Sequence, residues 1–188
     1  MKKLYMDYLD LEILLRLAIV NIAELDNSIK TAYANGIPMG GTIKGIVGQS
    51  PTFFIWAFQD PLDAPLDKIQ IIKGWHENGD VKEEVVDVIC SEKRTMDLNT
   101  KRCPPIDTTV DLSNCKIDHE RGAKELKTLW TDDNYNTEQN AFYYVRVIQN
   151  PTCRWSTYDS LRIGEDPPKD YPATITEMAW SSPIWIKN

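Results

Sequence analysis

The stretch Ala141-Phe142-Tyr143-Tyr144-Val145-Arg146-Val147-Ile148-Gln149-Asn150-Pro151-Thr152-Cys153-Arg154-Trp155-Ser156-Thr157-Tyr158-Asp159 decides the fold. Tyr143, Val145 and Val147 face one way, and Phe142, Tyr144 and Ile148 the other. That two-residue period, in β-branched and aromatic residues, is the signature of a strand. The second half reads as a polar, aromatic loop carried by that strand.

Working outward, the same kind of pattern recurs in short pieces. Thr52 to Phe58 is an apolar, aromatic run ending at Asp60-Pro61. Leu66 to Trp75 carries Ile69, Ile71 and Ile72 and leads to Asn78-Gly79-Asp80, which suits a hairpin into Val81 to Ile89. Thr108 to Leu112 and Cys115 to Ile117 are short strand candidates, as are Ser160 to Ile163, Thr174 to Met178 and Pro183 to Ile186. Gly122 to Trp130, with Ala123, Leu126 and Leu129-Trp130 on one side, predicts a short amphipathic helix. Residues Met1 to about Tyr33 read as helical, stopped by Asn35-Gly36 and Pro38. Short strands divided by Pro/Gly turns predict a mainly β, β-sandwich-like domain over residues 36–188 with one or two short helices. A divergent segment, irregular or helical, occupies residues 1–35.

Composition limits the function classes. The chain has 188 residues, 42% hydrophobic and 26% charged, as a globular domain does. A net charge of −7 with scattered basic residues argues against a nucleic-acid or anionic-membrane surface. The apolar stretch Leu11 to Ile22 is broken by Glu12, Arg16 and Asn21, too short and too interrupted for a membrane span. Asp7, Asp10 and Glu12 spoil it as a signal peptide.

The cysteines are Cys90, Cys103, Cys115 and Cys153. Their wide spacing disfavours zinc, which needs tight ligand pairs. Two disulfides or buried thiols remain. If the thiols pair, loop economy favours Cys90 with Cys103 and Cys115 with Cys153, and the native compartment is oxidising.

No assembled catalytic centre is legible. His76 and His119 stand apart beside turn residues, where exposure is the ordinary outcome. Asp60, Asp63 and Asp67, Asp132 and Asp133, and Asp166 and Asp170 lack the layout of a calcium loop and suit turns and caps. Gly40-Gly41-Thr42-Ile43-Lys44-Gly45 lacks the Lys-Ser/Thr end of a phosphate loop and reads as a flexible entry to a strand. Six tryptophans raise the possibility of sugar binding, since ring faces stack on sugar faces; core packing is the plainer explanation of most of them. Trp155 is the exception, set among Arg154, Ser156, Thr157, Tyr158 and Asp159 in a loop. Arg154, Trp155, Tyr158, Asp159 and, separately, Trp75 are therefore the candidate ligand-binding residues. Arg154 and Asp159 have a plainer alternative: pairing to pin the loop.

Several segments in order carry a family resemblance: Ile37-Pro38-Met39-Gly40-Gly41, Leu66-Asp67-Lys68-Ile69-Gln70-Ile71-Ile72-Lys73-Gly74-Trp75, Ala141 to Val147, Pro151 to Asp159, and Ala179-Trp180-Ser181-Ser182-Pro183-Ile184-Trp185. From about Asn21 to Trp185 the chain resembles the C-terminal part of bacterial proteins catalogued as domain of unknown function 3604. The stretches around Cys90, Cys103 and Cys115 resemble one branch of them. The resemblance implies a larger, exported parent, with an N-terminal catalytic part like the PHP-type metal-dependent phosphoesterases and amidohydrolase-like hydrolases. That part would hold divalent metal through His and Asp/Glu ligands. Met1 to about Val20 departs from the expected pattern, as a truncated or frameshifted reading frame would. No catalytic or metal-binding residue is therefore carried over, and no cofactor is expected in this chain.

Overall fold

The computed structural model describes residues 13–18, 33–34 and 36–188. The strands are β1 (Ile13–Ala18), β2 (Ile37–Pro38), β3 (Thr42–Lys44), β4 (Thr52–Phe58), β5 (Leu66–Glu77), β6 (Asp80–Cys90), β7 (Glu125–Thr131), β8 (Ala141–Gln149), β9 (Thr152–Cys153), β10 (Thr174–Ile175), β11 (Met178–Trp180) and β12 (Ile184–Lys187). A helix, α1 (Trp155–Ile163), follows β9, and a 3-10 turn occupies Ser91–Lys93. Four strands pair in the order β2-β1-β4-β7; a larger sheet runs β3-β12-β8-β5-β6, with β11 also on β8; β9 and β10 form a small ribbon. Pairing is antiparallel except where β12 meets β3 in parallel.

The two large sheets face each other across one apolar layer. Alternation turns Phe53, Ile55 and Ala57 of β4 and Leu126 of β7 inward, against Ile69 and Ile71 of β5, Tyr143, Val145 and Val147 of β8, and Ile184 and Ile186 of β12. Phe53 and Tyr143 bring their rings to 4.7 Å across the gap. The domain is β-sandwich-like and carries the short helix α1, as its turn-divided strands predict. The Asn78-Gly79 hairpin also forms as expected: φ is 53° at Asn78 and 87° at Gly79, the paired positive values of a type I′ turn.

A buried polar group crosses the same gap. Lys73 Nζ donates to Asp132 Oδ2 at 2.5 Å, and Tyr143 Oη–H donates to that oxygen at 2.7 Å. The ammonium also lies 5.2 Å from the Trp75 ring and 5.8 Å from the Tyr143 ring. Asp132 follows β7 and accepts the Asn134 N–H at its other oxygen, so β5 and β8 are clamped to the end of the opposite sheet.

Several expectations are corrected. The helical reading of Met1 to about Tyr33 fails over Ile13–Ala18, a strand in register with Thr52–Ala57; the rest of that reading lies outside the described residues apart from its end, where 33–34 are helical. A short apolar run cannot be told from a buried helix by periodicity alone, and here a strand partner decides. Gly122 to Trp130 does not form a helix: Glu125–Thr131 is a strand on β4. The Leu126 to Trp130 spacing of four is shared by one helical turn and by one face of a strand, so it carried no discrimination. The loop reading of Trp155 to Asp159 and the strand reading of Ser160 to Ile163 both give way to α1, which stops at Gly164 in the left-handed conformation. Thr108 to Leu112 and Cys115 to Ile117 make only an isolated Asp111–Lys116 bridge, because Asp111 folds its own turn by accepting the Ser113 N–H.

Both disulfides form with the expected pairs, Cys90–Cys103 and Cys115–Cys153. Two tests follow. Asp132→Ala strands the buried Lys73 charge and should cost about 3–5 kcal/mol in urea unfolding, while Lys73→Met with Asp132→Leu should recover most of it. Removing Cys115–Cys153, which spans 38 residues, should cost about 4 kcal/mol, against about 3 for Cys90–Cys103, which spans 13. A reversed order in equilibrium unfolding would show that loop entropy does not set the difference.

Candidate functional site

The end of β8 builds the first candidate region. β9 and β10 pair just beyond it, and α1 starts where Arg154 N–H donates to the Ala173 carbonyl at 2.9 Å. Thr157 is fully buried and its hydroxyl donates to the same carbonyl, which fixes the roll of the helix. Cys153 ties its base to Cys115, and the Tyr158 hydroxyl donates to the Cys115 carbonyl at 3.5 Å. Trp155 is 72% exposed and Asp159 is exposed one turn later, so both share an outward stripe. Arg154 and Asp159 do not pair. Asp159 instead meets Arg162 at 3.4 Å, and the Arg154 Nε is buried with no hydrogen-bond partner among the described residues.

Trp75 stands elsewhere. It pairs with Ala141 at the start of β8, whereas Arg154 follows the end of that strand. Eight residue steps at about 3.4 Å separate the two ends by roughly 27 Å. Arg154, Trp155, Tyr158 and Asp159 therefore cluster at one end of the sandwich, and Trp75 lines a groove at the other. That groove also involves Gly74, His76, Asn140, Phe142, Trp185 and Lys187, most of which the sequence reading passed over. The available signal was alternation: Phe142 and Tyr144 oppose the core residues of β8, and Trp185 lies between buried Ile184 and Ile186.

Core packing does not fully enclose any tryptophan. Trp155, Trp180 and Trp185 are exposed, and Trp56, Trp75 and Trp130 are half-buried. Trp56 is committed locally: its Nε1–H donates to Glu125 at 2.7 Å and Lys127 covers its ring.

Buried carboxylates serve the scaffold. Asp87 accepts Gln70 Nε2–H at 2.6 Å, Lys68 Nζ at 2.9 Å and the Cys103 backbone N–H at 2.8 Å. Gln70 accepts in turn from Arg146, so a polar ladder crosses β8, β5 and β6. His76 and His119 are both exposed, on β5 and on the loop before β7. Among the described residues no three His, Cys, Asp or Glu side chains group as a metal site would require. The two histidines and the occupied carboxylates thus do not fit the divalent centre implied for a parent hydrolase.

The loop between β6 and β7 is cross-locked. Arg121 grips Glu92 through Nε at 2.7 Å and Nη2 at 2.9 Å, and the Gly122 N–H adds a third bond at 3.0 Å. These donors, the Arg121 side chain foremost, lower the Glu92 pKa from the ordinary 4.5 to about 2. Because the folded value is depressed, this contribution to stability is present above the ordinary value and is lost as pH falls from about 4.5 through about 2. A carboxyl NMR titration should give a Glu92 midpoint near 2, and Arg121→Gln should raise it toward the ordinary value.

Comparison with known proteins gives one match and two negatives. No curated protein and no solved structure is significantly similar to the chain. A family model described as "Protein of unknown function (DUF3604)" matches residues 20–188, nearly the whole chain, so the protein belongs to the DUF3604 family.

Proposed function

We propose that this domain is the accessory, C-terminal β-region of a PHP-like metal-dependent hydrolase of bacterial origin, and that it packs against a preceding catalytic part rather than performing the chemistry itself. The observation that carries this reading is the outward face of α1. Trp155, Asp159 and Ile163 recur every four residues on one stripe, with Trp155 72% and Ile163 68% exposed. Tyr171, 62% exposed, lies in the segment that follows. Large apolar groups gathered in this way mark a surface built for a partner. The helix presenting them is held by the Cys115–Cys153 disulfide and the Ala173 carbonyl, so the surface is preorganised.

The interior supports the same division of labour. Lys73, Asp132 and Tyr143 neutralise and bond one another inside the sandwich, and Asp87 is saturated by Gln70, Lys68 and Cys103. A carboxylate that acts as a general acid or a metal ligand needs an oxygen free to face the substrate or the metal. Arg154, Trp155, Tyr158 and Asp159 then border the mouth of the partner's site rather than form a centre. The paired cysteines suit an exported parent.

Two measurements test this. The purified chain with added Mn²⁺ or Zn²⁺ should hydrolyse bis-p-nitrophenyl phosphate no faster than buffer; turnover with stoichiometric bound metal would overturn the reading. Trp155→Asp with Ile163→Asp should leave urea stability within about 0.5 kcal/mol, because both side chains are exposed. The same pair should abolish association with a separately expressed catalytic part of a family member, measured by calorimetry.

A further inference from the structure

β5 turns Ile69, Ile71 and Lys73 to the interior, so a lysine stands where packing alone calls for an aliphatic side chain. Its partner Asp132 lies 59 residues away, at the end of the opposite sheet. Among the lysine–carboxylate pairs of the described residues, this one alone has both side chains below a tenth exposed, at 7% and 4%. Lys68 beside Asp87 keeps 19%, and the Lys82–Asp80 and Lys101–Glu84 pairs are more open still. The Asp132 carboxylate is also held asymmetrically. Its Oδ1 accepts the Asn134 backbone N–H at 3.0 Å, while its Oδ2 takes both the Lys73 ammonium at 2.5 Å and the Tyr143 hydroxyl at 2.7 Å. Beyond Asp132, the Lys73 nitrogen reaches the Asn134 carbonyl at 3.5 Å and lies over the Trp75 and Tyr143 rings.

We propose that Lys73 and Asp132 are the site of an intramolecular modification, an isopeptide bond that forms between Lys73 Nζ and Asp132 Cγ without an enzyme. The ion pair is the state before the step, and the urea costs given above for its variants refer to that state. The balance is internal. The lysine nitrogen bonds to Cγ, the Cγ–Oδ2 bond breaks, and Oδ2 leaves as water with two of the ammonium protons. No oxidant, reductant or cofactor enters. The two carboxylate oxygens are already sorted for this. The Asn134 N–H holds Oδ1, which carries the negative charge while Cγ is tetrahedral and then becomes the amide carbonyl. Tyr143 donates to Oδ2, the leaving oxygen. Fixed contact between the reacting groups is equivalent to a concentration on the order of 10⁵–10⁸ M. The amide is uncharged, so the desolvation penalty of two buried ions disappears with the ion pair. The departing water leaves a site that the sandwich and the two rings close to its return. The bond ties β5 covalently to the end of β7, and the inference does not depend on the hydrolase reading.

The test is intact mass spectrometry of the full chain, reduced and denatured after the folded protein has stood at neutral pH. The wild type should fall below its sequence mass by one water. Tryptic digestion should then yield a branched peptide that joins the Lys73 and Asp132 segments. Lys73→Arg, which keeps a cation beside Asp132 but has no amine to acylate, should keep the full mass. Tyr143→Phe, which keeps the ring, should slow the appearance of the lighter species at least ~10-fold. A wild-type chain at full sequence mass with no branched peptide overturns the inference. So does a loss of water that persists in Lys73→Arg, which would place the dehydration at another residue. An unchanged rate in Tyr143→Phe overturns the part assigned to its hydroxyl.

Discussion

The Lys73–Asp132–Tyr143 group is the constraint on which the rest of the sandwich depends. An ammonium placed between two sheets is tolerated only when a carboxylate stands within hydrogen-bond reach, and Asp132 does so at 2.5 Å. Asp132 can be there only if β7 ends at Thr131 and the chain turns, as the Asn134 N–H to Asp132 bond enforces. The group therefore sets the relative position of the two sheets, which apolar packing alone leaves free to slide. Burial and the adjacent Asp132 charge push the Tyr143 hydroxyl well above the ordinary tyrosine range, so it remains a donor to that carboxylate.

On the opposite face of the larger sheet, Asp87 has a parallel role. It has no exposed surface, and it holds the Cys103 backbone against β6 while Lys68 and Gln70 neutralise and orient it. The nearby disulfide to Cys90 and the Glu92–Arg121 grip then fasten a loop with little regular structure of its own. These fastenings explain how a long irregular segment stays on a modest core. They also leave the α1 stripe at one end of the sandwich and the Trp185 groove at the other free of structural duty, two surfaces on a rigid frame.

What was legible in the sequence follows the range of the interactions involved. The β8 alternation, the Asn78-Gly79 turn and the β-sandwich class are written in neighbouring residues, because a strand's faces and a type I′ turn depend on local geometry. The disulfide pairs were legible by loop economy. Leu126 and Trp130 were ambiguous because a spacing of four satisfies both periods, and only the β4 partner resolved it. The α1 residues misled for another reason: Ser156, Thr157 and Tyr158 are weak helix formers, and the helix is held instead by Ala173 and Cys115. Among the site residues, Trp155 was legible as an exposed aromatic, whereas Arg154 buries its Nε instead of pairing with Asp159.

The sequence by itself determined that this is a mainly β domain with no self-evident catalytic motif and with cysteines spaced for two disulfides. It also carried the family resemblance, since ordered segments survive in the linear chain. Only the tertiary structure decided that Lys73 is a buried clamp, that Asp87 is a saturated anchor and that Gly74 opens a groove beneath Phe142. Each depends on residues 17 to 68 positions away, Lys73 on Asp132, Asp87 on Gln70 and Gly74 on Phe142. The physical reason is that local periodicity says which side of a strand a residue occupies, whereas the residue it meets there is set by register between strands distant in sequence.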